Sequence, residues 1–382
     1  MIYLDNAATT WPKPPCVTEA VAQALKKYGA NPGRGGHRMS MAASGEVYSC
    51  RETAAQLFHL EDTSHVIFTL NCTMSLNMVL KGILSAGGRV VVSDLEHNAV
   101  MRPLHALSPD RPVYDVAHVV PGNDEATVEN FRRCIRPDTR AIVCTHASNV
   151  FGVRLPITQL GALAREKGLL FVVDGAQTAG VLPIDMQRDQ IDFLCLAGHK
   201  GLYGPMGTGL LLCSGRFQLP TLLEGGTGSQ SLLLEQPEEL PDRLESGTPN
   251  TPGICGLHAG MRWVLAHGTE AICRQETTHL AHMYDLLSAV PGIRLYTERP
   301  AVGRCAPVLS LNVEGRGSEE VAAELNKFGI AVRAMLHCAP AAHRAFGTLP
   351  RGTVRFAPSL FTTRQEIEHT CRILQKIAAG KA

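Results

Sequence analysis

"CLAGHKGLYGPMGTG", residues 195 to 209, decides how this chain is read: an apolar run ends in "HK" and a glycine-rich turn follows. A phosphate loop ends in Gly-Lys-Ser/Thr, whereas Lys200 precedes its glycines. No Gly-x-Gly-x-x-Gly opens a first strand-to-helix turn, so a dinucleotide fold has little support. What remains is a lysine at a strand end with a histidine before it. A lysine held in a crevice can lose its proton and form a Schiff base with an aldehyde. Earlier, "FVVDGAQTAG", residues 171 to 180, closes another apolar run on Asp174. A carboxylate there can hold a protonated pyridine nitrogen and make the ring an electron sink. Taken alone, Lys200 reads as a solvated loop lysine and Asp174 as a helix cap. In this order and spacing, the pair points to pyridoxal phosphate.

Short apolar runs surround this segment: "HVIFTL", "RVVVSD", "RAIVCTH", "LLFVVD", "DFLCLAG" and "TGLLLC". Between them lie segments with helical spacing, such as "PITQLGALAREKG" before "LLFVVD". "VTEAVAQALKKYG", with apolar positions 17, 20, 21, 24, 25 and 28, predicts a further helix stopped by Gly29. Buried strands separated by helices imply an α/β fold with a mainly parallel sheet and helices on its faces. Polar residues gather past the strand ends: Thr69, Asn71, Asp94, His146 to Asn149, Asp174, His199 and Lys200. In such sheets the ligand crevice lies at the carboxyl ends of the strands.

Residues 215 to 253, rich in Gly, Pro, Ser and Glu, read as surface loops. A second pattern then begins: one long helix near 255–290, a strand "PVLSLNV", a helix after Ser318 and a strand "GIAVRA". The last helix opens at Thr363 with Glu366 three positions on, a capping box, and carries the stripe Ile367, Cys371, Leu374 and Ile377. This predicts a smaller α+β domain.

At 382 residues, with 45% hydrophobic and 19% charged side chains, the chain suits a two-domain globular enzyme. A net charge of +1 without a Lys/Arg run leaves no nucleic-acid footprint. The opening "MIYLDNAATTWPKPP" is not a secretory signal, and no apolar stretch reaches the roughly 20 residues of a membrane span. A cytoplasmic location is expected. The twelve cysteines show no C-x-x-C and no zinc spacing, so most read as buried free thiols. Cys338 stands apart: in "LHCAPAAH", residues 336 to 343, it sits in a loop of Ala, Pro and His, 17 residues before Arg355.

Taken together, these segments resemble the class-V aminotransferase fold, and within it the cysteine desulfurases and selenocysteine lyases of the short-loop group. The resemblance rests on "YLDNAATT", "LNCTMSLN", "DLEHNAV", "HASNVFG", "VDGAQ", "GHKGLYGPMGTG", "ESGTPN", "VRAMLHCAP" and "GTVRFAPS". It implies a fold-type I pyridoxal phosphate enzyme whose large domain, 15–253, holds a mainly parallel seven-stranded sheet. The small domain then comprises 1–14 and 254–382. Lys200 is implied to carry the cofactor, Asp174 to pair with the pyridine nitrogen and Gln177 to bond the phenolic oxygen. His97 would stack on the ring and relay protons, a role a lone histidine after Glu rarely has. Cys72 and Thr73 would offer amides to the phosphate at a helix start, where a threonine is otherwise only a cap. His199 would add a phosphate contact, as would Thr248 from a second subunit. Asn149 would sit beside cofactor and substrate, Arg355 would grip the substrate carboxylate, and Ala8 and His337 would line the substrate.

Cys338 is then the nucleophile that takes sulfur from L-cysteine as a persulfide, releasing L-alanine, before a sulfur-acceptor protein receives it. The resemblance also implies a homodimer. Ala197 replaces the family's usual phosphate-binding serine, Gly201 is extra, and Leu336 replaces a histidine. A missing charge-assisted phosphate contact is worth about 1.5–3 kcal/mol. Three alternatives stay open: a selenocysteine lyase acting on L-selenocysteine, an aminotransferase or β-lyase that does not use Cys338, and a non-catalytic cofactor-binding paralogue. Absent ligand spacing argues against a metal protein.

Overall fold

The computed structural model of the chain describes residues 1–33 and 35–380. A two-residue strand, β1 (Ile2–Tyr3), opens the chain. Seven strands follow: β2 (Val66–Thr69), β3 (Arg89–Ser93), β4 (Tyr114–Ala117), β5 (Thr139–Thr145), β6 (Leu170–Asp174), β7 (Phe193–Ala197) and β8 (Gly209–Cys213). They form one sheet in the order β2-β8-β7-β6-β5-β3-β4. Pairs among β7, β6, β5, β3 and β4 are parallel, whereas β8 runs antiparallel to both β2 and β7. The sheet is therefore mainly parallel, as the alternation of runs and helices predicts.

The central strands are near-continuous apolar runs because helices cover both faces. β7 and β8 are buried at every position, and each buried Leu or Phe contributes about 1.5–3 kcal/mol. One core layer includes Val91, Ile142, Val173, Leu194 and Leu196 and the other Val90, Val92, Val172 and Cys195, the two-residue alternation of a pleated strand. Helix Pro15–Lys27 lies where expected. Residues 214 to 250 carry no helix or strand.

The long helix expected near 255–290 is in fact two, Thr251–His267 and Thr269–Leu287. Gly268 between them has φ +78°, a left-handed value open to glycine that breaks the helical hydrogen bonding. Ile254, Leu257 and Met261 of the first helix pack into the core of the large sheet, which thus extends past residue 253.

The small domain centres on β10 (Leu309–Val313), flanked antiparallel by β9 (Ile293–Leu295) and β12 (Val354–Phe356). β11 (Ile330–Ala331) pairs parallel with β1, and Leu4 lies in one core cluster with Leu280, Phe356 and Leu374. Of "GIAVRA" only Ile330 and Ala331 form a strand, and Arg333 adds an isolated bridge to Arg355. The capping box at Thr363 and Glu366 is present, and Ile367, Cys371, Leu374 and Ile377 are buried beneath it. Among the described residues, no helix is long and apolar enough to cross a membrane.

Candidate active site

Five carboxyl ends of the sheet supply the site. Asp174 closes β6, buried among apolar strands, and its Oδ1 accepts from the Ala176 N–H at 2.9 Å. Cys72 begins helix Cys72–Ile83 past the end of β2, and its thiol reaches the same Oδ1 at 3.4 Å. Burial pushes that thiol well up, so Cys72 stays a neutral S–H donor. The first amides of this helix, those of Cys72 and exposed Thr73, have no intrahelical acceptor and are suited to an anion.

Past the end of β3, His97 caps helix Asn98–Leu107: its Nδ1 accepts from the Ala99 N–H at 3.0 Å. The cap fixes the ring and leaves Nε2 as the protonated nitrogen. Burial pushes the imidazole down to about 4, helped by the Lys200, Arg333 and Arg102 cations and opposed by Asp174. His97 is therefore neutral near pH 7. Beside it Glu96 is buried, its Oε1 accepting from the Thr145 N–H at 2.9 Å and from Ser93 Oγ, and burial pushes its carboxyl up to about 8.

Lys200 follows β7. Burial lowers its pKa first of all, Arg355 and Arg333 assisting and Asp174 and Cys72 opposing. Desolvation makes such an amine more readily neutral and hence nucleophilic. The extra Gly201 has a packing reason: a Cβ there would lie 2.4 Å from the Ala179 carbonyl oxygen. At Gly180, with φ +80°, a Cβ would lie 2.2 Å from the Gly201 carbonyl oxygen. His199 carries a buried Nδ1 without a partner, and burial with Lys200 and Lys13 pushes its ring down to about 4.

The small domain contributes Arg355 on β12, 1% exposed. Its guanidinium donates to Asp5 Oδ1 at 2.7 Å and to the Asn149 carbonyl at 2.9 Å. Asn149, past β5, donates its amide to the His337 carbonyl at 2.7 Å. The Asn98 N–H donates to the Cys338 carbonyl at 2.7 Å. The cysteine loop is thus tied to both the His97 helix and the Arg355 anchor. Met335, His337 and Cys338 have φ of 76°, 49° and 57°, left-handed values that cost a residue with a Cβ about 1–3 kcal/mol. Cys338 is exposed, whereas eight of the twelve cysteines are buried.

His337 is turned inward. It is 3% exposed, its ring nitrogens engaged with the Arg333 carbonyl at 3.3 Å and with His343 at 3.4 Å. His343 in turn meets Thr348 Oγ1 at 2.7 Å, and burial holds the His337 ring far below its ordinary pKa. The charged group beside the thiol is instead Arg333, with a guanidinium nitrogen 4.0 Å from Cys338 Sγ. Sequence reasoning passed over Arg333 and Asp5; the only local signal was their place in "VRAM" and "YLDN". Gln177 donates to the Ala7 carbonyl at 3.0 Å, and the half-buried Ala8 donates its N–H to the Asp5 carbonyl. Thr248 lies apart in an exposed turn, where its hydroxyl accepts from Asn31 at 3.4 Å. Among the described residues it hydrogen-bonds to none of the others.

The residues fit the implied cofactor. Asn149 Oδ1, His199 Nδ1 and Arg355 Nε are buried without partners, each at a cost of about 1–3 kcal/mol. These three atoms lie on residues of the candidate site and offer polar groups to a ligand. Helix amides for an anion, an amine for an aldehyde and a carboxylate for a pyridine nitrogen match pyridoxal phosphate in turn.

The family model for aminotransferase class-V matches residues 2–369. This chain belongs to the class-V aminotransferase family. Pyridoxal phosphate is the cofactor of this family. Among class-V relatives, a probable cysteine desulfurase of Pyrococcus abyssi is 31% identical over 387 residues, covering 99% of this chain and 94% of its own. A cysteine desulfurase of Shigella flexneri is 30% identical, covering 99% and 93%. The apo structure of cysteine desulfurase from Thermococcus onnurineus NA1 aligns with a TM-score of 0.91 at 31% identity, over 99% of this chain and 95% of that one.

Proposed function

We propose that this chain is a cysteine desulfurase: it takes sulfur from L-cysteine onto Cys338 as a persulfide and releases L-alanine. The observation that carries the reading is the exposed Cys338 thiol on a left-handed loop, bonded through its backbone to the His97 helix and to Asn149. Bound at Lys200 and Asp174, the cofactor supplies an electrophilic carbon for the substrate amine and a ring that accepts electrons from the α-carbon.

The chain's own groups do the rest. Arg355, steadied by Asp5, holds the substrate carboxylate through its free donors. Lys200 Nζ takes the α-proton, a base made competent by burial. The Cys338 thiolate, next to the Arg333 cation, attacks the substrate sulfur. An S–S bond forms as the C–S bond breaks, and the electron pair and a proton go to carbon, which becomes the methyl of alanine. Substrate cysteine is reduced at carbon, and the sulfur it loses is held oxidised as persulfide. Exposure of Cys338 lets an acceptor protein collect it.

A homodimer completed by Thr248 from the second subunit agrees with that residue's exposure and with exposed Met39, Met41 and Tyr48 on helix Arg38–Phe58. A cytoplasmic place of action fits the many free thiols. The test adds L-cysteine to purified protein and measures alanine and protein-bound persulfide, with Cys338→Ala alongside. Stoichiometric alanine and persulfide in the parent, and neither above background in Cys338→Ala, are expected. Full consumption of L-cysteine by Cys338→Ala would overturn the reading, in favour of a β-lyase if pyruvate and sulfide appear and of an aminotransferase if 3-mercaptopyruvate appears.

A further inference from the structure

One backbone oxygen beside the site gathers an unusual number of donors. The carbonyl of His199, the peptide link into Lys200, accepts from the Thr10 N–H at 3.2 Å, Thr9 Oγ1 at 3.1 Å, Thr10 Oγ1 at 3.2 Å and Lys13 Nζ at 2.7 Å. Lys13 Nζ also donates to Thr10 Oγ1 at 2.6 Å, and Thr10 Oγ1 reaches the Lys200 carbonyl at 3.1 Å. The Thr10 hydroxyl has one hydrogen to share between the two carbonyls, and a carbonyl has two lone pairs, so the Thr10 N–H and Thr9 Oγ1 already satisfy the His199 oxygen without Lys13.

Lysine normally keeps its ammonium in water and buries only the stem. Lys13 is half-buried. Its ammonium ends on neutral oxygens, and among the described residues it makes no ion pair with a carboxylate. Burial pulls it down to about 8, the mark of a cation placed where solvation is poor. The strap that carries it is anchored elsewhere: the Leu4 and Asn6 N–H groups donate to the Ala331 and Ala357 carbonyls, and the Ala7 carbonyl accepts from Gln177.

The geometry points to Lys13 as a positioning residue for Lys200, its ammonium fixing the His199–Lys200 peptide and thereby the root of the reactive amine. This rests on Lys200 being the residue that carries pyridoxal phosphate. Lys13 touches neither substrate nor cofactor in this role; it acts through the peptide. A 1 Å misplacement of a reacting group can cost about 100-fold in rate.

The test compares the parent, Lys13→Met, Lys13→Arg and Thr10→Val. Apo proteins are mixed with pyridoxal phosphate, total bound cofactor is measured after gel filtration, and borohydride reduction followed by peptide mass mapping gives the share trapped on Lys200. Lys13→Met is expected to bind the cofactor yet trap it on Lys200 about 10-fold more slowly, with kcat lowered similarly and KM for L-cysteine within about twofold. Lys13→Arg restores most of both, because it returns a charged donor to the carbonyl. Thr10→Val, which keeps the charge and removes one hydroxyl, falls between and carries the test should Lys13→Met not fold. Trapping and kcat within about twofold of the parent in Lys13→Met or Thr10→Val would overturn the inference. Failure of the parent to trap cofactor on Lys200 would instead remove the reading beneath it.

Discussion

The two side chains proposed as nucleophiles, Lys200 and Cys338, are held in opposite ways. Lys200 hangs from a fully buried strand, closes against glycines that admit no Cβ, and has its peptide bonded by the N-terminal strap. Cys338 sits on an exposed loop whose backbone is twisted into the left-handed region at three non-glycine positions and tied down by two hydrogen bonds. Each choice follows from its chemistry. An amine must be desolvated to be neutral near pH 7, and burial does that. A thiol that meets first a bound substrate and then an outside acceptor must stay accessible, so its precision comes from backbone pinning. Buried thiols show what burial does to a cysteine instead: those of Cys50, Cys144 and Cys195 are pushed far up and stay inert.

The contrast breaks most visibly if the two nucleophiles prove interchangeable in effect. Lys200→Ala should lower alanine release by about 1000-fold or more and remove the yellow colour, whereas Cys338→Ala keeps the colour. Absorbance of the two purified variants after cofactor addition decides this.

The buried side also carries two carboxyls that the exposed loop lacks. Burial pushes Glu96, behind His97, and Glu276, beside Tyr203, each up to about 8 from an ordinary 4.5. Between those values the folded state binds more protons than the unfolded state. Their stabilisation is therefore complete below pH 4.5 and lost as pH rises towards 8. Denaturant midpoints across that range should fall, and less steeply in Glu96→Gln and Glu276→Gln. Equal slopes in parent and variants would show that neither carboxyl titrates this way.

On the loop side, Asn149→Ala leaves the buried His337 carbonyl unpaired, at a cost of about 1–3 kcal/mol. Alkylation of Cys338 by iodoacetamide should quicken as the loop loosens. The smallest effect isolates the twist itself. Cys338→Gly should be more stable than Cys338→Ala by about 1 kcal/mol, since glycine takes a φ of 57° without penalty. Identical melting of the two would mean that the loop relaxes at no cost.

Much of the buried half was legible beforehand. Apolar runs broken by helical spacing gave the parallel sheet, and the strand-end rule picked out Asp174, Asn149, His199 and Lys200. The capping box at Thr363 was readable for the same reason: such signals are local, lying within a few residues along the chain. A glycine inside a long helical pattern is less decisive, and the break at Gly268 was missed because one positive-φ glycine leaves the flanking apolar spacing intact.

By itself, then, the sequence determined the alternation of elements and the chemical kinds of side chain gathered past the strand ends, because periodicity and residue type act at short range. Only the tertiary structure decided that His337 turns inward to His343, that Arg333 stands beside the thiol, and that Asp5 steadies Arg355. It also decided that the strap carrying Lys13 reaches across to His199. Two of these contacts, Asp5–Arg355 and Lys13–His199, join residues far apart in sequence, and the inward turn of His337 follows from a backbone twist that spacing does not encode. Which partner a buried polar group finds is settled by packing of the whole chain, where an unpaired one is costly.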